Sequence, residues 1–487
     1  MTAISTRLRS ERSYQEILYF ALAVLSGILI VSVDALAVVV VSGFLLIGLL
    51  SFTKPVVALI FLLTLAPART LIATESPIAL PLDIGQMLFL FFIGVWLSRH
   101  IMSRQTPLRL PALPVVFALV GFIVLTALTV FNATSLSHWL TEWFKWVIAF
   151  VMLVYTINSK VSYSWLVFAL TVAGVAQAIV GIYIFFGGSG ADHLMIPGDF
   201  FRAFGTFGQP NPFGGFMGII APLTLMMTLG YTHLYLLKSR DIRYLAIAMF
   251  YAIASVIIVS ALIASWSRGA WLGFVASSTI VLVALPRRTW QNVIVLLVLA
   301  VLGSSVLISG ILPAIIAERL TSAVQDLLVI RDVRGVFITI ENYAVIERLA
   351  HWQTAIAMTT DHPWLGVGMG NYDVAYANYS LLNWPLSLQH AHNYYLNVLG
   401  EAGIIGLAGY LALFVTIFAS SWHARTHPDI ISRYIVIGLI GTWTYLSIHS
   451  FLDNLYVNNV FIHVGVMLGL LVALHRDVSG KTGFKVI

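Results

Sequence analysis

Arg268 stands between two long apolar runs, where an ionisable side chain is costly. It lies in the short connection Ser265-Trp-Ser-Arg-Gly-Ala-Trp271. Because the connection is so short, the guanidinium must lie at or below the level of the lipid headgroups. A charge at that depth indicates a functional site. The alternative is an arginine that reaches towards the interface between two anchoring tryptophans.

Two further arginines lie outside the apolar runs. Arg202 stands in an aromatic, glycine-rich segment, and Arg348 stands on a predicted helix. Arg348, Trp352 and Ala355 share one face of that helix, because they are spaced by four and seven residues. For both arginines a structural role stays open, with loop carbonyls as partners of Arg202 and a neighbouring glutamate as partner of Arg348.

His392 is the most informative of the candidate residues. It leads from a long polar stretch into an apolar run, and His390 precedes it by two residues. Asn393, Asn397 and Glu401 recur every four residues, so they form one polar stripe along the predicted helix. Histidine accepts a proton readily near neutral pH. We therefore interpret His392 as a candidate base with the other four as supporting residues, against the alternative of two interfacial loop histidines.

Metal and thiol chemistry are disfavoured. The sequence contains no cysteine, which excludes disulfides, thiolate nucleophiles and cysteine-ligated metals. His390 and His392 are two residues apart and so lack the four-residue helical spacing of a two-histidine zinc site. Several histidines beside arginines fit an anionic ligand better than a cation. We predict no metal and no cofactor.

The composition is that of a membrane protein. Hydrophobic residues make up 60% of the 487 and charged residues 9%, and the mean hydropathy is +0.94. A soluble domain carries roughly 25% charged residues. Runs of about 20 apolar residues, the length that crosses a bilayer, predict an all-α bundle of 12–14 spans. The candidate spans are residues 17–33, 35–52, 55–73, 84–98, 113–131, 139–157, 163–187, 212–231, 244–265, 269–285, 290–309, 394–421, 433–450 and 455–474.

The placement of lysine and arginine predicts the orientation of these spans. If the N-terminus is inside and the spans alternate, most of the 26 basic residues fall on the cytoplasmic side, as positive-inside topology requires. We therefore predict that both termini are cytoplasmic. The net charge of +6 then reflects topology and gives no reason to expect nucleic acid as a partner. The first apolar run has no convincing cleavage site and is predicted to be a retained helix.

Residues 310–393 form the one long stretch without a spanning pattern. Within it, residues 315–333 and 341–360 are predicted helices, and a section rich in glycine, proline, asparagine and aromatic residues follows. Its tryptophans and tyrosines indicate a lid at the membrane interface rather than disorder. We expect three regions: a transmembrane region 1–309, an outer-face lid 310–393, and a transmembrane region with a short tail 394–487.

These motifs together resemble the superfamily of O-antigen ligases and polymerases over about residues 200–455. The pieces are Arg202 with Gly-Gln-Pro-Asn, Ser-Arg268-Gly, Arg348 with Trp352, Pro363-Trp-Leu-Gly-Val-Gly-Met-Gly370, and His392-Asn393 followed by Gly403-Ile-Ile-Gly406. The last piece looks like the ligase signature. Leu407 stands where an aromatic or small residue often follows, so ligase and polymerase both stay open.

The resemblance implies a metal-independent, inverting glycosyltransferase of the bacterial inner membrane, with its site on the periplasmic face. The donor would be a glycan linked to undecaprenyl diphosphate, and the acceptor of a ligase would be lipid A–core. By position, His392 would be the general base on the acceptor hydroxyl. Arg268, Arg348 and Arg202 would bind the diphosphate and offset the charge that develops as it leaves.

Other functions remain open beside the ligase. A polymerase would use the same donor and a growing glycan as acceptor, and a third kind of superfamily member transfers glycan to a protein hydroxyl. A transporter of anions or lipid-linked sugars is the alternative from another class. Transporters usually place charged residues near the bilayer midplane on broken helices, whereas these candidates lie mainly at the ends of apolar runs.

Overall fold

The computed structural model describes residues 48–51, 54–75, 82–102, 107–188, 192–310, 332–339 and 342–480. The expected spans 17–33 and most of 35–52, and nearly all of the expected helix 315–333, lie outside these residues. Packing divides the chain into two compact units. Of the described residues, 48–51, 54–61 and 90–102 belong to the first unit, and the others belong to the second.

The described residues are almost entirely helical, as the composition predicts. The helices are α1 (Pro55–Leu65), α2 (Arg69–Glu75), α3 (Ile84–Met102), α4 (Pro114–Ala127), α5 (Leu136–Asn158), α6 (Tyr163–Tyr183), α7 (Pro210–Leu234), α8 (Ile242–Ala264), α9 (Arg268–Ala284), α10 (Thr289–Ile308), α11 (Tyr343–Asp361), α12 (Tyr372–Tyr379), α13 (Tyr394–Ala424), α14 (Ile430–His449) and α15 (Val460–Ser479). A two-stranded antiparallel hairpin, β1 (Met195–Ile196) and β2 (Phe200–Phe201), pairs Met195 with Phe201.

Ten helical segments among the described residues are long and apolar enough to cross a membrane. Two shorter apolar helices, Arg268–Ala284 and Trp290–Val306, correspond to two more of the expected spans. Apolar side chains face outward on both the longer and the shorter helices. Val256 of α8 is 66% exposed, and Val301 of α10 is 65% exposed. Exposed apolar surface of this extent marks a lipid-facing protein. The predicted fold class, an all-α polytopic membrane bundle, is confirmed.

Small residues allow the central helices to approach closely. α7 packs against α8 and α14, α14 packs against α9, and α5 packs against α15. A Cβ atom added at Gly218 of α7 would lie 1.8 Å from the ring of Tyr445 on α14. Close backbone approach of this kind is the usual basis of helix association in a bilayer. It brings the start of α7, the start of α9 and the end of α14 to one end of the bundle, the site end.

α13 is broken at Gly403, where φ is +66° and ψ is −167°. Residues 363–370, which we call the strap, enter this break. Val367 and Gly368 donate N–H bonds of 3.0 and 2.9 Å to the carbonyls of Gly400 and Glu401. In return, the N–H of Ile404 donates to the carbonyl of Pro363 at 2.8 Å. The strap therefore satisfies backbone groups that the break would otherwise leave without partners.

Gly403, Gly406 and Gly409 of α13 recur every three residues, a spacing that allows close helix packing, but Gly403 has a different role. Its backbone conformation is open essentially to glycine alone, and an added Cβ would lie 2.3 Å from the carbonyl carbon of Trp364 in the strap. Gly409 does face α4, where an added Cβ would meet Leu125 at 3.2 Å and Phe122 at 3.4 Å. The first glycine thus makes the break, and the third makes the helix contact.

The lid contains one expected helix and one that the sequence did not indicate. α11 confirms the helix expected at 341–360. α12 lies in the section interpreted as irregular, and the side-chain carboxylate of Glu401 accepts the N–H of Tyr372 at its first turn, at 3.2 Å. An acceptor oxygen at a helix N-terminus is favourable because the first N–H groups have no partner in the helix.

Candidate active site

A small pocket at the site end brings the three predicted arginines together. It has a volume of about 150 Å³, and we call it the arginine pocket. Its lining residues are Arg202, Asn211, Trp266, Ser267, Arg268, Gly269, Ala344, Arg348, His449 and Leu452. The arginines reach it from the segment after β2, from the start of α9 and from α11. Residues that are remote in the sequence thus converge on a single cavity.

Helix ends add to the positive potential of the arginine pocket. α9 begins at Arg268, and Asn211 and Ala344 each stand second in their helices, α7 and α11. The starts of three helices therefore border the cavity. Each carries a partial positive charge and N–H groups without helical partners. Arginine side chains and helix N-termini together favour an anionic ligand with several oxygen atoms.

Arg202 is held in place by the protein itself. Its Nε donates to the carbonyl of Ser265 at 3.1 Å, and one terminal nitrogen donates to Oδ1 of Asn211 at 3.1 Å. The alternative considered for it, bonding to a loop carbonyl, is therefore part of its environment. These bonds fix the guanidinium at the edge of the arginine pocket.

His392 lies beside a buried carboxylate, Asp453. Nδ1 of His392 is 3.3 Å from Oδ1 of Asp453, and Nε2 of His390 is 3.7 Å from the same oxygen. Burial by itself raises the pKa of Asp453, but the hydrogen bond with His392 and the nearby histidines outweigh it, so the pKa lies below its usual range. Burial lowers the pKa of His390 to about 3, and the neighbouring His392 contributes. Asp453 is therefore an ionised carboxylate beside His392, and His390 is neutral.

The backbone of His392 is strained. Its φ is +51°, a left-handed conformation that a residue other than glycine seldom adopts. The N–H of His392 donates to Nδ1 of His390 at 3.0 Å, and the N–H of Tyr394, two residues later, donates to the carbonyl of Ser450 at 2.7 Å. Strain held in this way is often found at functional sites, where it fixes the direction of a side chain.

The predicted polar stripe consists of residues that bind the main chain. Asn393 caps α13 by accepting the N–H of Leu396 at 3.1 Å. Asn397 accepts the N–H of Ala391 at 3.1 Å. Glu401 accepts the first N–H of α12, as described above, and all three side chains are buried. Their contacts fix the loop that carries His392, so their part in the site is positional.

One turn connects the arginine pocket to the pair of His392 and Asp453. The N–H groups of Leu452 and Asp453 both donate to the carbonyl of His449, at 2.8 and 3.1 Å. His449 and Leu452 line the arginine pocket, and Asp453 meets His392. A cationic pocket and a histidine–carboxylate pair are therefore neighbours across a few residues of backbone.

Sequence reasoning missed Asp453 and His449. Asp453 is 61 positions from His392, and no local motif joins them. A usable signal was nevertheless present, because the expected span 433–450 ends on the outer face. Any carboxylate or histidine just after that end lies on the same side as the lid.

The side chains of His390, His392 and Asp453 could also hold a metal ion. Among the described residues, His390, His392 and Asp453 each offer one ligand atom, and these atoms lie within 4.8 Å of one another. Imidazole and carboxylate ligands suit divalent ions such as Zn²⁺. The expectation that no metal binds took into account only the carboxylates of the lid, and Asp453 lies outside the lid. The geometry therefore makes metal dependence a question for experiment.

The middle of the chain is similar to a known protein family. Residues 253–411 match the sequence model of the family described as O-antigen ligase. This stretch runs from α8 into α13 and includes Arg268, Arg348 and His392. The matched segment, about a third of the chain, is similar to that family. Arg202 and Asp453 lie outside the segment and belong to the site through the fold.

A curated protein is also similar to part of this chain. The O-antigen ligase of Pseudomonas aeruginosa is 35% identical over 95 residues, which are 19% of this chain and 22% of that protein. The aligned stretch thus spans about a fifth of the length of the relative. The superfamily resemblance drawn from the motifs is confirmed by both findings.

Proposed function

We propose that the protein transfers a glycan from a polyprenyl diphosphate carrier to an acceptor hydroxyl, and that it acts as an O-antigen ligase with lipid A–core as acceptor. The observation that supports this most is the turn from His449 to Asp453. This turn connects the arginine pocket to the carboxylate of Asp453, which lies beside His392. Glycosyl transfer from a diphosphate needs these two parts, an anion site and a base.

The diphosphate of the donor would bind in the arginine pocket. Planar guanidinium groups match phosphate oxygens through paired N–H bonds. Arg268 and Arg348 would bind the oxygens directly, and Arg202 would order the rim through its bond to Asn211. Stabilisation of this kind matters most as the bond to the sugar breaks, because negative charge then grows on the phosphate.

The polyprenyl tail has a candidate groove that starts from the same helices. An apolar cleft of about 650 Å³ lies between α9, α10, α13 and α14 and is lined by Ala276, Ile280, Leu296, Phe418 and Thr444, among others. Along α9, Ala276 lies about 12 Å from Arg268 at 1.5 Å per residue. A diphosphate in the arginine pocket would therefore leave its lipid chain at the entrance of this cleft.

His392 would act as the general base. It would take the proton of the acceptor hydroxyl, whose oxygen attacks the anomeric carbon from the side opposite the diphosphate. The bond between sugar and phosphate then breaks, and its electron pair leaves with the polyprenyl diphosphate. The nearby carboxylate of Asp453 favours the imidazolium that forms. Attack from the opposite side inverts the anomeric configuration.

A transfer assay tests the base. Purified protein is incubated with a polyprenyl diphosphate-linked glycan and either lipid A–core or a glycan acceptor. His392→Ala should reduce transfer by about 10²–10⁴-fold, the usual contribution of a general base. Asp453→Asn should reduce it in the same direction, because the imidazolium loses its counter-charge. His475→Ala, a histidine in the last turns of α15, is the control and should keep its activity.

Each outcome of this assay is informative. Full transfer by a folded His392→Ala protein would exclude His392 as the base. Glycan on lipid A–core indicates a ligase, whereas a longer glycan on the lipid carrier indicates the polymerase. Lipid-linked sugar that moves across a vesicle membrane without turnover would favour the transporter. Transfer that persists in a chelator supports the metal-independent mechanism, whereas transfer that stops and returns with a divalent ion would assign a metal to His390, His392 and Asp453.

A second experiment tests the anion site. Binding of polyprenyl diphosphate-linked glycan should be lost in the double variant Arg268→Ala, Arg348→Ala, because both guanidinium groups of the arginine pocket are removed. The double variant Lys238→Ala, Arg243→Ala removes two exposed positive charges near the start of α8 and is the matched control for net charge. Unchanged binding by the Arg268→Ala, Arg348→Ala variant would show that the donor binds elsewhere.

A further inference from the structure

His449 is a buried histidine that the mechanism above does not use. It is 1% exposed at the end of α14 and lines the arginine pocket. A Cβ atom added at Gly269, another lining residue, would lie 2.7 Å from its Cδ2 and 2.9 Å from its Nε2. The ring edge that carries Nε2 is therefore turned towards the start of α9, on the pocket side.

The other ring nitrogen has a hydrogen bond that fixes its proton. The hydroxyl of Tyr445 lies 2.8 Å from the carbonyl of Gly214 and 3.0 Å from Nδ1 of His449. A carbonyl can only accept, so the single hydroxyl proton goes to Gly214. The oxygen of Tyr445 then accepts from Nδ1–H. In the neutral ring Nε2 therefore carries no proton, and it presents a lone pair at the arginine pocket.

A lone pair repels phosphate oxygens, whereas a protonated Nε2 donates to them. We propose that His449 takes up a proton when the arginine pocket binds a diphosphate with a free terminal phosphate, the leaving product of the transfer. This inference rests on the proposed function. In the donor the terminal phosphate is esterified to the sugar. When that bond breaks, the electron pair and an additional negative charge stay on the phosphate oxygen, and the proton for His449 comes from solvent.

Charged groups around His449 act in opposite directions. Arg202 after β2, Arg268 on α9 and Arg348 on α11 disfavour a cation, whereas Asp453 in the turn favours it. On its own helix Tyr445 is the partner of Nδ1, and α7 contributes the neutral Asn211. In the empty pocket, burial above all, and then the charge of the arginines, Arg348 among them, keep the ring neutral. A bound diphosphate offsets their charge and so allows protonation, which makes product affinity rise as the pH falls.

Calorimetry with the full-length protein tests the inference. Farnesyl diphosphate, a short polyprenyl diphosphate with a free terminal phosphate, is titrated in buffers of different ionisation enthalpy. The wild type should take up as much as about one proton per ligand near neutral pH. His449→Gln and His449→Asn cannot be protonated and should bind without proton uptake. His475→Gln, at the far end of α15, should behave as the wild type does.

A second variant tests the role of the Nδ1–H tautomer of His449 while His449 itself is kept. Tyr445→Phe removes the acceptor of Nδ1–H, so the neutral ring can carry its proton on Nε2 and donate without becoming charged. Proton uptake should fall while binding persists. Binding by the wild type with a heat that does not depend on the buffer would overturn the inference, as would uptake that persists in His449→Gln. No binding of farnesyl diphosphate by the wild type would instead contradict the proposed function.

Discussion

The carboxylate of Asp453 is buried and serves two histidines of the lid at once. A buried charge without a partner destabilises a protein strongly, so this carboxylate favours the arrangement in which His390 and His392 lie over it. The lid and the turn after α14 are thereby coupled through one charge. The residues that would perform the chemistry also determine where the lid rests.

The pKa of His390 predicts how stability depends on pH. The folded-state pKa of about 3 lies below the value of about 6.5 for an unfolded chain. Between these values the unfolded state binds a proton that the native state does not, so stability rises with pH across this window. His390→Gln should reduce the slope by at most about 1.4 kcal/mol per pH unit.

Thermal unfolding in detergent at several pH values between about 4 and 7 measures this slope. Asp453, whose pKa is lowered, adds a slope of the same sign at lower pH in both proteins, so the difference between them isolates His390. The exposed His193, replaced by Gln, is the control. An unchanged slope in His390→Gln would contradict a neutral His390 in the folded state.

At the scale of elements, the break in α13 shows what helical periodicity predicts and what it leaves undetermined. The apolar run predicts a span at 394–421, and the helix is there. The break was not predicted, because a glycine serves equally as a packing residue and as a residue of positive φ. Three glycines at equal spacing favoured packing, yet Gly403 is distinguished by its tertiary partner, the strap.

Gly403→Ala should therefore destabilise the protein, by about 1–3 kcal/mol for the backbone conformation alone and further for the contact with Trp364. Gly409→Ala is the matched control on the same helix, because its new methyl group meets side chains at 3.2 Å or more. Thermal unfolding and limited proteolysis of the lid measure both effects. Equal stability of the two variants would mean that the strap does not depend on this break.

At the scale of the molecule, hydropathy predicted most of the fold because a bilayer requires long apolar helices. Because successive spans alternate in direction, the sequence also predicted that Arg202, Arg268 and His392 lie at one end of the bundle. The structure brings them to the site end. It did not predict which side chains meet, since that depends on how helices pack. The expected region boundaries, after residues 309 and 393, remain predictions.

The absence of cysteine allows a clean test of orientation. Leu382→Cys introduces a thiol at a lid position that is 95% exposed, and Ser239→Cys introduces one at an exposed position between α7 and α8. If the lid faces outward, a membrane-impermeant maleimide should label the first variant in intact spheroplasts and the second only after lysis. The reverse pattern would invert the topology.

The strap also determines where the lid could be exchanged between related proteins. Since Val367 and Gly368 bond to Gly400 and Glu401, the first turns of α13 are tied to the lid by backbone hydrogen bonds. A chimera that exchanged lids between related proteins at residue 393 would separate the strap from these turns. A junction at Gly403 would transfer the lid, the strap and His392 together with the turns of α13 that hold them.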